Sequence, residues 1–152
     1  MEIIRFPALF LVIAIGISFF PAASGWESAS AARYEKTLLR LHNRERKRRD
    51  LPRFRFTGSL RRAAKNYAKV MRQNDHFSHT GPDGSSSGDR IRAAGFTGNA
   101  TGENIAFGYR SPKTVFRGWM KSPGHRRNIR RRYFDQIGFG KSGTYWVTNF
   151  GG

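Results

Sequence analysis

The segment from Gln136 to Phe150 constrains the fold more than any other. Gln136-Ile137-Gly138-Phe139-Gly140 and Thr144-Tyr145-Trp146-Val147-Thr148-Asn149-Phe150 flank Lys141-Ser142-Gly143. Two apolar runs around a short glycine-containing loop predict a β-hairpin. Upstream, Asn104 to Phe107 reads as a further short strand, bracketed by Gly102 and Gly108. Together these runs predict an antiparallel sheet of three or more strands.

The rest of the chain carries helical periodicity. From Ser28 to Arg49, Ala31, Tyr34, Leu38, Leu41 and Glu45 recur at helical spacing, with Arg and Lys on the opposite face. Leu51-Pro52 ends that helix. A second helix starts at Thr57 or Ser59 and runs to Gln73, with Leu60, Ala64, Tyr67 and Met71 as its stripe. Ser111-Pro112 opens another, whose buried side is Val115, Phe116, Trp119 and Met120. Ser122-Pro123 repeats the device for a short helix from Gly124 to Ile129. Helices before and between strands predict an α+β fold in layers.

Gly84-Ser85-Ser86-Ser87-Gly88 matches the spacing of a serine nucleophile elbow, but it follows a turn rather than a strand. Ser86 with Asp89 instead makes a capping box for a short helix from Arg90 to Ala94, closed by Gly95.

The N-terminus is of a different kind. Phe6 to Trp26 holds no charge, and Pro21-Ala22-Ala23-Ser24-Gly25 supplies small residues after it. This reads as a secretory signal peptide over residues 1–24, with one domain over residues 25–152. The alternative is an uncleaved membrane anchor. Export would place the domain outside the cell or in the periplasm. The chain has no cysteine, which rules out disulfides, thiolate metal sites and cysteine nucleophiles.

Lys and Arg number 28 against 10 Asp and Glu, a net charge of +18. Such an excess attracts polyanions: an envelope polymer, an anionic lipid headgroup, a sulfated glycan or nucleic acid. Its densest stretches are Arg44 to Arg49 and Arg126 to Arg132. For most of the first, the plain reading is a solvated face whose cations complement a helix C-terminus.

Glu103, among few acids, sits at the mouth of the central strand, and two histidine segments look made to meet it. His76-Phe77-Ser78-His79 lies just past the second helix, with one histidine expected to point inward and Phe77 to plug the core. His125 sits in a first helical turn, where the local dipole disfavours a protonated imidazole. His79, Glu103 and His125 are therefore expected to line one polar cavity. Two histidines and a glutamate could hold Zn²⁺ with an open position. They could also polarise a water without metal, or form a hydrogen-bonded cluster that fixes the packing of loops.

The order of short motifs resembles the CAP superfamily: cysteine-rich secretory proteins, antigen 5 and pathogenesis-related class 1 proteins, which share the SCP domain. The matching pieces are HNRER at His42–Arg46, FSHT at Phe77–Thr80, GENIAFG at Gly102–Gly108, WMKSPGHRRNI at Trp119–Ile129, QIGFG at Gln136–Gly140 and YWVTNFG at Tyr145–Gly151. They span nearly the whole mature chain and are most similar to the short, disulfide-free bacterial branch. The resemblance implies an α-β-α sandwich around a central cavity. In eukaryotic members that cavity carries two histidines and two acids, sometimes with a divalent metal. His79 matches the first histidine and Glu103 the first acid. The second acid falls near Ser122 and the second histidine near Tyr133, so both are lost, and His125 is what this branch offers instead. Asn43 and Arg46 match structural positions.

The functional expectation is a secreted protein that binds an anionic envelope or extracellular ligand. The alternatives are a metal-dependent or general-base hydrolase using His79, Glu103 and His125, a lipid or sterol binder, and a nucleic-acid binder acting through the arginine clusters. Export makes nucleic acid the less apt polyanion.

Overall fold

A computed structural model describes residues 24–152; the expected signal peptide, apart from Ser24, lies outside the described residues. The elements in chain order are α1 (Ser24–Lys47), β1 (Arg55–Phe56), α2 (Gly58–Gln73), α3 (Ser87–Ala93), β2 (Thr101–Ala106), α4 (Pro112–Lys121), α5 (Pro123–Arg130), β3 (Gln136–Ser142) and β4 (Tyr145–Gly151). The strands form one sheet in the order β1-β3-β4-β2. β3 and β4 are the predicted hairpin, turning at Gly143, whose φ is 57°. β2 lies antiparallel to β4 at one edge, with Glu103 opposite Asn149. β1, which the periodicity did not show, is a two-residue parallel partner of β3. No helix among the described residues is long and apolar enough to cross a membrane.

Alternation along the strands builds the layers. Ile137 and Phe139 of β3, with Trp146 and Phe150 of β4, pack against Leu38 of α1, Val115 and Trp119 of α4 and Ile129 of α5. On the other face, Tyr145 and Val147 join Ile105 of β2 against Ala64, Tyr67, Ala68 and Met71 of α2. The result is the expected α-β-α sandwich. The glycines of β3 set its thickness: a methyl group on Gly138 or Gly140 would collide with the backbone of Arg61 or Ala64, so α2 lies directly on the strand.

The caps follow the sequence. Ser86 and Asp89 form a complete capping box at α3, which makes Ser86 a cap and not a nucleophile. The Ser111 hydroxyl accepts from the Thr114 amide at 3.2 Å, with Pro112 in the first turn of α4.

One buried arginine ties the N-terminal helix to the end of α5. Arg46 donates through Nη1 to the carbonyls of Ile129 at 3.2 Å and Arg131 at 2.9 Å, and through Nη2 to Phe134 at 2.7 Å. Its Nε donates to the carbonyl of Pro52, and the guanidinium stacks over Phe54, 4.0 Å from the ring centre. These bonds draw three separate segments together where a disulfide-bearing fold could use a covalent link.

Candidate functional site

The site forms at the free edge of the sheet, where the two helical layers approach each other around β2. Glu103 and Asn104 are successive residues of that strand, so their side chains leave on opposite faces. Both are buried.

On the α2 face, Glu103 Oε1 accepts from Nδ1 of His79 at 2.8 Å. Arg90 of α3 donates through Nη2 to both carboxylate oxygens, at 3.2 and 3.1 Å. The Arg90 guanidinium lies flat on Tyr67, 3.4 Å from the ring centre, and also donates to the His79 carbonyl at 2.9 Å. Tyr67 in turn holds its hydroxyl 2.6 Å from the Ser78 carbonyl and 3.1 Å from that of Thr80. The loop bearing His79 is thus fastened on both sides of the histidine.

On the α5 face, Asn128 donates through Nδ2 to the Glu103 carbonyl at 3.2 Å and to Oδ1 of Asn104 at 2.9 Å. Asn104 donates through its own amide to the His125 carbonyl at 3.1 Å. These two asparagines staple the first turns of α5 to the strand and bring His125 to the same edge. Burial, and then the nearby His79, hold the His125 imidazole below its usual pKa. The direction agrees with the expectation from the helix dipole, although burial is the larger cause.

A carboxylate can only accept, so Nδ1 of His79 carries a hydrogen, and in the neutral imidazole Nε2 is then the acceptor. The His79 side chain is 55% exposed and that of Glu103 2%. Chemically this is a solvent-facing imidazole oriented by a buried, charge-balanced acid. His125 adds a half-buried imidazole of depressed basicity.

The set as arranged does not fit a zinc ion. Among the described residues no three histidine, aspartate or glutamate side chains gather as a metal-ligating group. Both Glu103 oxygens already take hydrogen bonds from a permanent cation, which repels a metal from the same lone pairs. Nor do His79, Glu103 and His125 line any of the four hollows described on this surface.

One expectation about the histidine loop changes. Phe77 does not plug the core: it is 51% exposed and leans on Phe107, which packs against Tyr145. His76 is partly buried and bonds to the Thr80 carbonyl at 2.8 Å through Nε2, closing the turn that presents His79. The reason is that α2 ends at Gln73 and the chain leaves the core there, so a phenylalanine four residues later has no interior left to enter.

Arg90, Asn104 and Asn128 were not assigned to the site by sequence reasoning, and Tyr67 was read as core only. The signal for Arg90 was indirect. A buried glutamate requires a cation, but with 28 Lys and Arg the sequence offers no way to say which.

The chain is thus an α-β-α sandwich in which Glu103 of the edge strand holds His79 of the loop between α2 and α3. The model of the cysteine-rich secretory protein family, CAP, matches residues 39–150, and the chain belongs to that family. It does so without a single cysteine. It is 34% identical over 124 residues to YkwD, an uncharacterized protein of Bacillus subtilis, covering 80% of this chain and 48% of that one. The chain therefore spans about half the length of that relative. Among solved structures it is similar to an extracellular protein containing an SCP domain from Bacillus anthracis: TM-score 0.77, 28% identity, 80% of this chain and 41% of that one. It is also similar to an outer surface protein of Borrelia burgdorferi, with TM-score 0.70 and 26% identity, covering 76% of this chain and 90% of that one.

Proposed function

We propose that this SCP domain is exported and binds an anionic component of the cell envelope or extracellular matrix through its basic surface. One observation carries the reading. The chain has 28 Lys and Arg against 10 Asp and Glu, and among the described residues four of those acids are already held in ion pairs. Glu35 pairs with Arg61, Glu45 with Arg130 and Arg49, Glu103 with Arg90 and His79, and Asp135 with Arg55. Most of the cations are left to meet solvent, and a surface of one sign concentrates polyanions beside it. The extracellular and outer-surface descriptions of the two structural relatives support export.

Partition of the full chain onto purified envelopes tests this directly. Envelopes that keep their anionic polymer should retain the protein at 50 mM salt and release it at 500 mM, and stripped envelopes should not retain it. A protein that stays in the supernatant at 50 mM salt, with intact envelopes present, would sink the reading.

A second reading rests on the His79–Glu103 pair itself. An exposed imidazole oriented by a buried carboxylate, with His125 beside it, is a general-base arrangement. Here the hydrolase needs no metal, and Zn²⁺ would require Glu103 to exchange Arg90 for the ion. Hydrolysis of an ester or amide probe, lost in both Glu103→Gln and His79→Ala with the fold kept, would support it. The lipid or sterol reading has less behind it. The hollow over Ala63, Tyr67, Val70 and Ala94 has about 240 Å³, below the roughly 300–1,000 Å³ of pockets that enclose a small molecule, and two larger hollows beside α1 are lined mainly by Arg and Lys.

A further inference from the structure

The outer face of α1 carries a ladder of like charge. Lys36, Arg40 and Arg44 recur every four residues, and Arg48 continues the series just past the helix end, its amide still bonded to the Arg44 carbonyl at 3.2 Å. All four are exposed, and among the described residues none makes an ion pair. The acids Glu35 and Glu45 of the same helix are both buried, turned to Arg61 and Arg130. Like charges four apart on a helix repel each other and weaken it. Attraction to the helix dipole accounts for cations in the last turn, but Lys36 and Arg40 lie well before it. The ladder therefore has a stability cost that the fold does not explain.

The ladder runs between two hollows that share Arg44. One, of about 380 Å³, separates α1 from α4 and adds Lys113, Arg117 and Phe116 to Arg44 and Arg48. The other, of about 500 Å³, lies on the far side of α1 and adds Lys47 and Arg53 to Lys36 and Arg40. Its lining holds no carboxylate, and the only one in the first is Glu45, already paired with Arg130. The rungs stand about 6 Å apart along the helix axis, at roughly 1.5 Å rise per residue.

We infer that this face of α1, walled by α4, is the track for a linear phosphodiester polymer of the polyol-phosphate type. The inference rests on the anionic-envelope reading above and locates its binding site. A repeat of single negative charges along a flexible chain matches a repeat of single cations along a helix. Competing polyanions match less well. Single-stranded nucleic acid is held by aromatic platforms as well as charge, and the exposed large apolar residues, Phe56, Phe77, Phe107 and Tyr133, line neither hollow. The apolar residues that do line the hollows, Leu39, Leu41 and Phe116, are partly buried among the cations, so none stands exposed to enter a membrane.

The test titrates the full chain with poly(glycerol phosphate), with oligo(dT) and with phosphatidylglycerol vesicles over a range of salt. Two charge-matched variants accompany the wild type. One carries Lys36→Gln, Arg40→Gln, Arg44→Gln and Arg48→Gln. The other carries Lys65→Gln, Lys69→Gln, Arg72→Gln and Arg92→Gln, exposed positions on α2 and α3. The expected result is binding of poly(glycerol phosphate) that weakens tenfold or more in the α1 variant and less than threefold in the other. The slope of log affinity against log salt should fall by about 3 in the α1 variant alone. Helical circular dichroism reports whether each variant is folded, and glutamine is a good helix former. Equal weakening in both variants would overturn the α1 track while leaving the anionic-ligand reading standing. Tighter binding of oligo(dT) or vesicles than of the polymer would overturn the polymer class. No binding to any of the three at 50 mM salt would overturn both.

Discussion

On the inner face of α1, Arg46 is buried and donates to four backbone carbonyls. Two residues earlier, on the outer face, Arg44 is exposed and makes no ion pair among the described residues. The same contrast holds for the acids and the histidine. Glu45 is buried against Arg130, and His42 is buried in a nest of Phe54, Phe116, Trp119, Phe139 and Phe150. One helix thus carries two chemistries at a spacing of two residues. Inside, polar groups act as fasteners and their partners are specified. Outside, cations repeat without partners, and what they share is sign and spacing. A residue type therefore says little about role until its side of the helix is known.

The strongest way to break that contrast is to remove a fastener. Arg46→Ala strips donors from four backbone carbonyls and should lower stability by about 3–5 kcal/mol, the scale of breaking a buried charged network. Arg44→Ala should stay within about 0.5 kcal/mol of wild type. Urea unfolding of both measures the difference, and equal midpoints would erase the distinction between the faces.

The next effect is a pH dependence from His42. Burial, the largest cause, and then Arg46 pull its pKa from 6.5 to about 4, against the pull of the Leu38 carbonyl, 2.8 Å from Nδ1. The folded state keeps the imidazole neutral while the unfolded chain protonates it. Between those two values the unfolded state binds more protons, so stability rises with pH. The contribution is fully present above pH 6.5 and is lost as pH falls toward 4, on the order of 3 kcal/mol at about 1.4 per unit. His42→Leu should flatten the stability curve in that window, and parallel curves for the two proteins would remove His42 as the cause.

The smallest expected effect lies on the outer face and has the opposite sign. Arg40→Glu turns two repulsive spacings, to Lys36 and Arg44, into attractive ones. It should raise stability by about 0.5 kcal/mol in low salt, with the gain fading at high salt. The same change should weaken polymer binding. A face whose repair stabilises the helix and harms binding is kept for binding; a substitution that left both unchanged would argue that the ladder is only solvated charge.

The two sides also differ in how they were read. The buried stripe of α2, from Leu60 through Ala64 and Tyr67 to Met71, is as the spacing predicts. So are the hairpin and the Ser86 capping box. His79 and Glu103 do meet, as the motifs suggested, and His125 reaches the same edge. Tyr67 was assigned to core packing and has that role, but its hydroxyl also fixes the His79 loop. Arg90, which completes the Glu103 ion pair, was signalled only indirectly, because its partner lies 13 residues away on another element. β1 escaped notice because two residues are too few to show a period.

The sequence by itself determined the helices, the hairpin, the layers they form, the family and the excess of positive charge. Each is written in the order and spacing of side chains, and backbone geometry converts spacing into faces without help from distant residues. Only the tertiary structure decided which of the many cations Glu103 would take, that Arg46 is a buried fastener, that Phe77 lies outside, and that the α1 ladder faces two hollows. Those outcomes depend on which surfaces are brought together across the sheet. A charge carries no label for its partner, so its role is fixed only when folding chooses its neighbours.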